Sequence, residues 1–134
     1  MKNKYLTYLL MRLIIGISML GHGLVRIPKI EAFSNGMAAK FSESIIPAFM
    51  VEPFGYFLTI AEFLLGFLII IGLFTRQALT GSIITMCLLV LGSTMIENWT
   101  VINSQLIHAA VFAFLLWNID YNNNSVDHII KSKN

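Results

Sequence analysis

Charge is scarce in this sequence: Asp, Glu, Lys and Arg together make up 12% of it, against roughly a quarter in ordinary soluble domains. With 57% hydrophobic residues and a mean hydropathy of +0.76, such a chain cannot cover a water-facing surface, which excludes a soluble monomer. There is one cysteine, Cys87, so neither a disulfide nor a CxxC redox pair forms within one chain and redox chemistry would have to come from a cofactor. The net charge of +2 is slight and scattered, which argues against nucleic acid as a partner. Only three prolines, Pro28, Pro47 and Pro53, interrupt the helical patterns. A cleavable signal peptide is not expected, because the apolar run after Lys2 and Lys4 continues past a typical h-region with no clear small-residue cleavage site.

Long apolar runs are what the sequence does contain. Four are read as membrane spans, at about 5–27, 53–74, 77–96 and 104–119, each near the length that crosses hydrocarbon as a helix. Pro28 is expected to stop the first, Pro53 to sit in the first turn of the second, and Trp99, Trp117 and Tyr121 to anchor the fourth at the interfaces. The fold expected is all-α: a polytopic membrane four-helix up-down bundle in one domain over 1–134. Lys2, Lys4, Arg76, Lys131 and Lys133 fall on one side, so both termini are expected in the cytoplasm and the chain in the cell (inner) membrane. The stretch 33–52 repeats Phe33, Met37, Phe41, Ile45 and Phe49 every four residues. That pattern suits either amphipathic turns on the outer membrane face or an ordered loop capping the bundle.

Against this background four ionisable residues stand out: Arg12 and His22 in the first span, Glu62 in the second and His108 in the fourth. Charge at membrane depth is costly and marks candidate functional sites. At 1.5 Å per residue, His22, Glu62 and His108 all fall roughly 6 to 12 Å inside the outer boundary, and Arg12 about 15 Å deeper than His22. A lone histidine near a helix end is commonly a packed or interfacial side chain, but three segments supplying polar groups at one depth favours a shared site. Glu62 must be neutral, paired or hydrated, with His22, His108 or Arg12 as partner; Arg12 either closes the lower end of that polar column or snorkels inward. The small residues Gly16, Ser18, Gly21, Gly23, Gly66, Gly72, Gly81 and Ser82 mark places where helices approach closely. The seven methionines show no copper-box spacing and read as core filler; no metal site is expected.

Arg12-x3-Gly16-x5-His22-Gly23, the run EFLLGFLIIIGLFTR from Glu62 to Arg76, and His108 in a fourth apolar span together resemble the DoxX family of small four-helix membrane proteins. The resemblance covers nearly the whole chain, and Arg26 stands where many relatives carry a lysine after the His-Gly pair. It implies an up-down bundle and an association with quinone-linked redox enzymes. The first functional expectation is accordingly a membrane redox subunit handling quinone. His22 or His108 would hydrogen-bond a quinone carbonyl and Glu62 would exchange its proton, with the lipid bilayer and a membrane or periplasmic redox partner protein around it. Within that reading His22 and His108 are also candidate axial ligands for haem. The alternatives are a non-enzymatic scaffold or assembly subunit whose polar residues hold the bundle and dock a partner, and a small transporter or proton pathway. For the last, the lack of a broken span or inverted repeat counts against it.

Overall fold

The computed structural model describes residues 2–133. Four helical stretches are long and apolar enough to cross a membrane, at 2–40, 48–71, 75–95 and 99–117. The first comprises α1 (Lys2–Arg26), a 3-10 turn (Ile27–Lys29) and α2 (Ile30–Lys40); α3 is Ala48–Ile71, α4 Thr75–Met95 and α5 Trp99–Trp117, and a short α6 (Val126–Ser132) ends the chain. Lys4 and Tyr5 of α1 meet Tyr121, which puts both ends of the chain at one end of the bundle, here called the terminal end. Trp99 and Trp117 are 61% and 88% exposed and lie at the two ends of α5. Eighteen residues separate them, or about 27 Å of helix, close to the thickness of a bilayer's hydrocarbon.

Three boundaries differ from the sequence expectation. Pro28 does end α1, but proline suits a first turn, and the chain passes through one 3-10 turn and resumes as α2. Residues 33–40 are thus helical rather than loop. They continue along α3, with Ser34 fully buried against Gly55, whose hypothetical Cβ would lie 2.7 Å from the Ser34 hydroxyl. Helix α3 begins at Ala48, after Pro47 in extended conformation, so that Pro53 lies in its second turn rather than its first. Pro53 is exposed, so its ring points away from the packed face. Similarly, α5 starts five residues before Ser104, at Trp99.

The helices form two layers, α1 and α2 on α3, and α4 on α5. Toward the terminal end the layers close on a core of Tyr8, Ile15, Met19, Ile69, Ala78, Leu79, Met86, Phe112 and Leu115. Along the first layer the backbones of α1 and α3 nearly touch: a Cβ on Gly16 would lie 2.8 Å from Ile70, and one on Gly23 or Gly66 would overlap the backbone nitrogen of Phe63 or Leu20. Interhelical packing of this kind is the main source of association where lipid removes the hydrophobic drive.

The turn between α3 and α4 is pinned by the tail. Gly72 adopts φ 69° and Phe74 φ 48°, a left-handed conformation unfavourable for a phenylalanine. The Asp127 carboxylate accepts from the backbone N–H groups of Phe74 and Thr75, both at 2.8 Å, while the Asp127 N–H donates to the Gly72 carbonyl at 2.9 Å. Burial alone would raise the Asp127 carboxyl, but the Thr75 and Phe74 donors, with Lys131 nearby, outweigh it and hold it below the usual aspartate range. A depressed native pKa means stabilisation that is present above the unfolded value, about 4, and lost as pH falls through the native one. Protection of the Phe74 and Thr75 amides, measured against their intrinsic exchange rates, is therefore expected to fall as pH drops below about 4. Asp127→Ala should cost about 1 kcal/mol, as loss of a helix cap does, and abolish that pH dependence.

Candidate functional site

Beyond Met19 and Met86 the two layers part, and a cavity of about 830 Å³ opens toward the end away from the termini. That size is within the range of small-molecule sites. Its walls are largely apolar, with Met19, Phe33, Met37, Phe41, Met50, Phe54 and Met86 among them, and the segment expected to cap the bundle supplies three of these through α2 and Phe41. His22, Arg26, Glu62, Ser104, Gln105 and His108 supply polar groups to the same cavity.

Ser18, His22 and Arg26 form a stripe at i, i+4 and i+8 on one face of α1. The Nδ1 of His22 donates to the Ser18 carbonyl at 2.7 Å. From α5, His108 Nδ1 donates to the Ser104 carbonyl at 2.8 Å and His108 Nε2 accepts from the Ser18 hydroxyl at 2.9 Å. The two imidazoles lie 6.0 Å apart between centroids and nearly perpendicular, at 80°. His108 is nine residues from each of Trp99 and Trp117, about 13 to 14 Å along the helix. The earlier starts of α3 and α5 thus put Glu62 and His108 farther from the first residues of their helices than the spans read from the sequence do.

Glu62, 4% exposed, forms an ion pair with Arg26, and the Arg26 guanidinium lies 4.4 Å from the centre of the Phe33 ring. Neither charge therefore meets hydrocarbon alone, which a membrane interior would penalise heavily. The sequence points to His22, His108 and Arg12 as partners for Glu62 and offers Arg26 only as the residue standing where many relatives carry a lysine after the His-Gly pair. The signal was the helical stripe itself, since continuing Ser18 and His22 by four residues reaches Arg26.

Arg12 lies elsewhere. Buried to 2% exposure at the terminal end, its guanidinium donates to the Asn122 side chain and, at 2.7 Å, to the Asn124 carbonyl, and Asn122 donates in turn to Thr75 at 2.9 Å. It clamps the tail to α1 and α4 and lines no part of the cavity. The structure thus brings His22, His108 and Glu62 to one cavity and leaves Arg12 outside it.

The family model for DoxX matches residues 7–97. The chain belongs to the DoxX family. No curated protein and no solved structure matches it. The DoxX match takes in α1 to α4, with His22, Arg26 and Glu62, and stops before α5, so that the resemblance carried by His108 lies outside it.

The donor set decides which groups this DoxX-family cavity suits. A flat ring with polar oxygens fits walls of phenylalanine and methionine ending in imidazole, guanidinium and carboxylate. Haem held between His22 and His108 fits less well, because iron would need the Nε2 of both rings and that of His108 is taken by Ser18.

Proposed function

We propose that this DoxX-family protein is a membrane subunit that holds a quinone-class ring in the cavity between its two helical layers. The observation that carries the reading is the meeting of His22, His108 and the Arg26–Glu62 pair on the wall of one apolar cavity of about 830 Å³. Such a ring, when bound, supplies two-electron, two-proton redox chemistry. The chain's own contribution is positional and electrostatic. The methionine and phenylalanine walls hold the ring's faces, His22 and Arg26 present polar groups to its oxygens beside a His108 held by Ser18 and Ser104, and Glu62, balanced by Arg26, is a carboxylate at which a proton is exchanged. The electron donor or acceptor is a membrane or periplasmic redox partner protein. Both termini face the cytoplasm in the inner membrane, in keeping with the lysines of the terminal end.

The test is quinone-dependent electron transfer in host membranes carrying Glu62→Gln. The change is expected to lower the rate about a hundredfold or more, the typical weight of one acid–base group, at unchanged protein level. Lower yield of an assembled complex with unchanged turnover per complex would support the scaffold reading instead.

A further inference from the structure

Building on the quinone-class reading, we infer that the cavity selects the reduced, hydroxyl-bearing form of its ring over the carbonyl form, with His22 Nε2 as a discriminating acceptor. A backbone carbonyl only accepts, so the 2.7 Å contact between His22 Nδ1 and the Ser18 carbonyl places the ring proton on Nδ1. In the uncharged ring Nε2 is then a lone pair. His108 is arranged identically through Ser104, but its Nε2 lone pair is filled by the Ser18 hydroxyl. One serine therefore sets the two histidines apart: its carbonyl orients His22 and its hydroxyl occupies His108.

His22 Nε2 has no hydrogen-bond partner among the described residues, and its side chain lines the cavity. The ring is exposed where it faces the cavity, so a bound molecule can reach this lone pair, and it does best there by bringing a hydrogen. A phenolic hydroxyl does so. A carbonyl oxygen would set lone pair against lone pair. Arg26 does not offset this preference, because a hydroxyl oxygen accepts from its N–H groups as a carbonyl does, so its donors serve both forms alike. The Glu62 carboxylate, whose second oxygen is not engaged by Arg26, is a further acceptor on the same wall, so His22 carries part of the selection, and the expectation that it would hydrogen-bond a carbonyl is reversed. One hydrogen bond gained or forfeited corresponds to about a threefold to tenfold difference in affinity.

The experiment is equilibrium dialysis of purified, detergent-solubilised full-length protein under anaerobic conditions, with a decyl-substituted benzoquinone and separately with its hydroquinone. The hydroquinone is expected to bind at least about threefold more tightly, and its dimethyl ether to lose that advantage. His22→Phe should bring the ratio of the two affinities toward one, and His22→Gln, whose amide both donates and accepts, should do the same. Equal affinities in the native protein, tighter binding of the quinone, or an unchanged ratio in His22→Phe overturns the selection while leaving a quinone-class site standing. Binding of neither form overturns the site and the selection together.

Discussion

Arg26→Ala should be among the most destabilising single changes in this protein, and a second substitution should rescue it. Removing the guanidinium leaves Glu62, 4% exposed, as a carboxylate with no cation in a membrane interior, a situation that in buried ion pairs costs about 3–5 kcal/mol. Phe33 loses its stacked partner as well. For a chain of this size that corresponds to a fall in melting temperature on the order of 10 °C, to be read by circular dichroism in detergent. Glu62→Leu alone should fall as far, since it strands the arginine. The pair Arg26→Met with Glu62→Leu should recover most of the stability, because replacing both members of a buried pair with apolar groups is commonly neutral or better. The same double variant should nevertheless fail to bind the hydroquinone probe or to support electron transfer, having kept the bundle and lost its polar wall. A double variant that is stable and still fully active would make the ion pair a structural strut and remove Glu62 from the proposed chemistry.

That pair also shows where sequence reading stops. Spans are legible because an apolar run of about 20 residues has little use outside a membrane, and ionisable residues inside such runs are conspicuous for the same reason. Depth follows from helical rise. Rotation and neighbour do not, and so Glu62 reads as a residue in need of a partner without Arg26 being recognisable as that partner. Arg12 is opaque for a different reason: its acceptors, Asn122 and the Asn124 carbonyl, lie 110 and 112 residues away, in a tail whose composition reads as a polar end. Prolines mislead in proportion to how literally they are taken. Pro28 halts α1 for a single turn, and Pro53 sits on an exposed face of a helix that has already begun, so the cavity wall formed by α2 reads as a loop. The part of the site outside the family match, His108 with Ser104 and Gln105, is visible only as a histidine in an apolar run. What it does depends on Ser18, ninety residues earlier.

The glycines offer the second large effect, because the structure separates those that seat α1 against α3 from those that merely occupy helices. A Cβ at Gly66 would lie 2.7 Å from the Cα of Leu20, and one at Gly23 2.7 Å from the Cα of Phe63, each overlapping the neighbouring backbone nitrogen as well. Backbone cannot rotate aside as a side chain can, so α1 and α3 must separate along their whole seam. Overpacking of this kind costs typically 1–3 kcal/mol and more where nothing yields; Gly66→Ala is expected at or above the top of that range, and Gly23→Ala with Gly66→Ala should not yield a folded bundle. Gly21 and Gly36 provide the control, since a Cβ at either meets nothing within 4 Å. Gly21→Ala and Gly36→Ala should be neutral or stabilising by up to about 1 kcal/mol, the gain in helix propensity. Thermal unfolding of the four single variants in one detergent reads the contrast directly. Because Gly23 and Gly66 flank Arg26 and Glu62 on the same two helices, separation of the seam also parts the ion pair, and probe binding should fall with stability in Gly66→Ala while remaining intact in Gly21→Ala. Gly66→Ala as stable as Gly21→Ala would mean that α1 and α3 do not approach at this distance. The placement of Arg26 against Glu62, which depends on that approach, would fall with it.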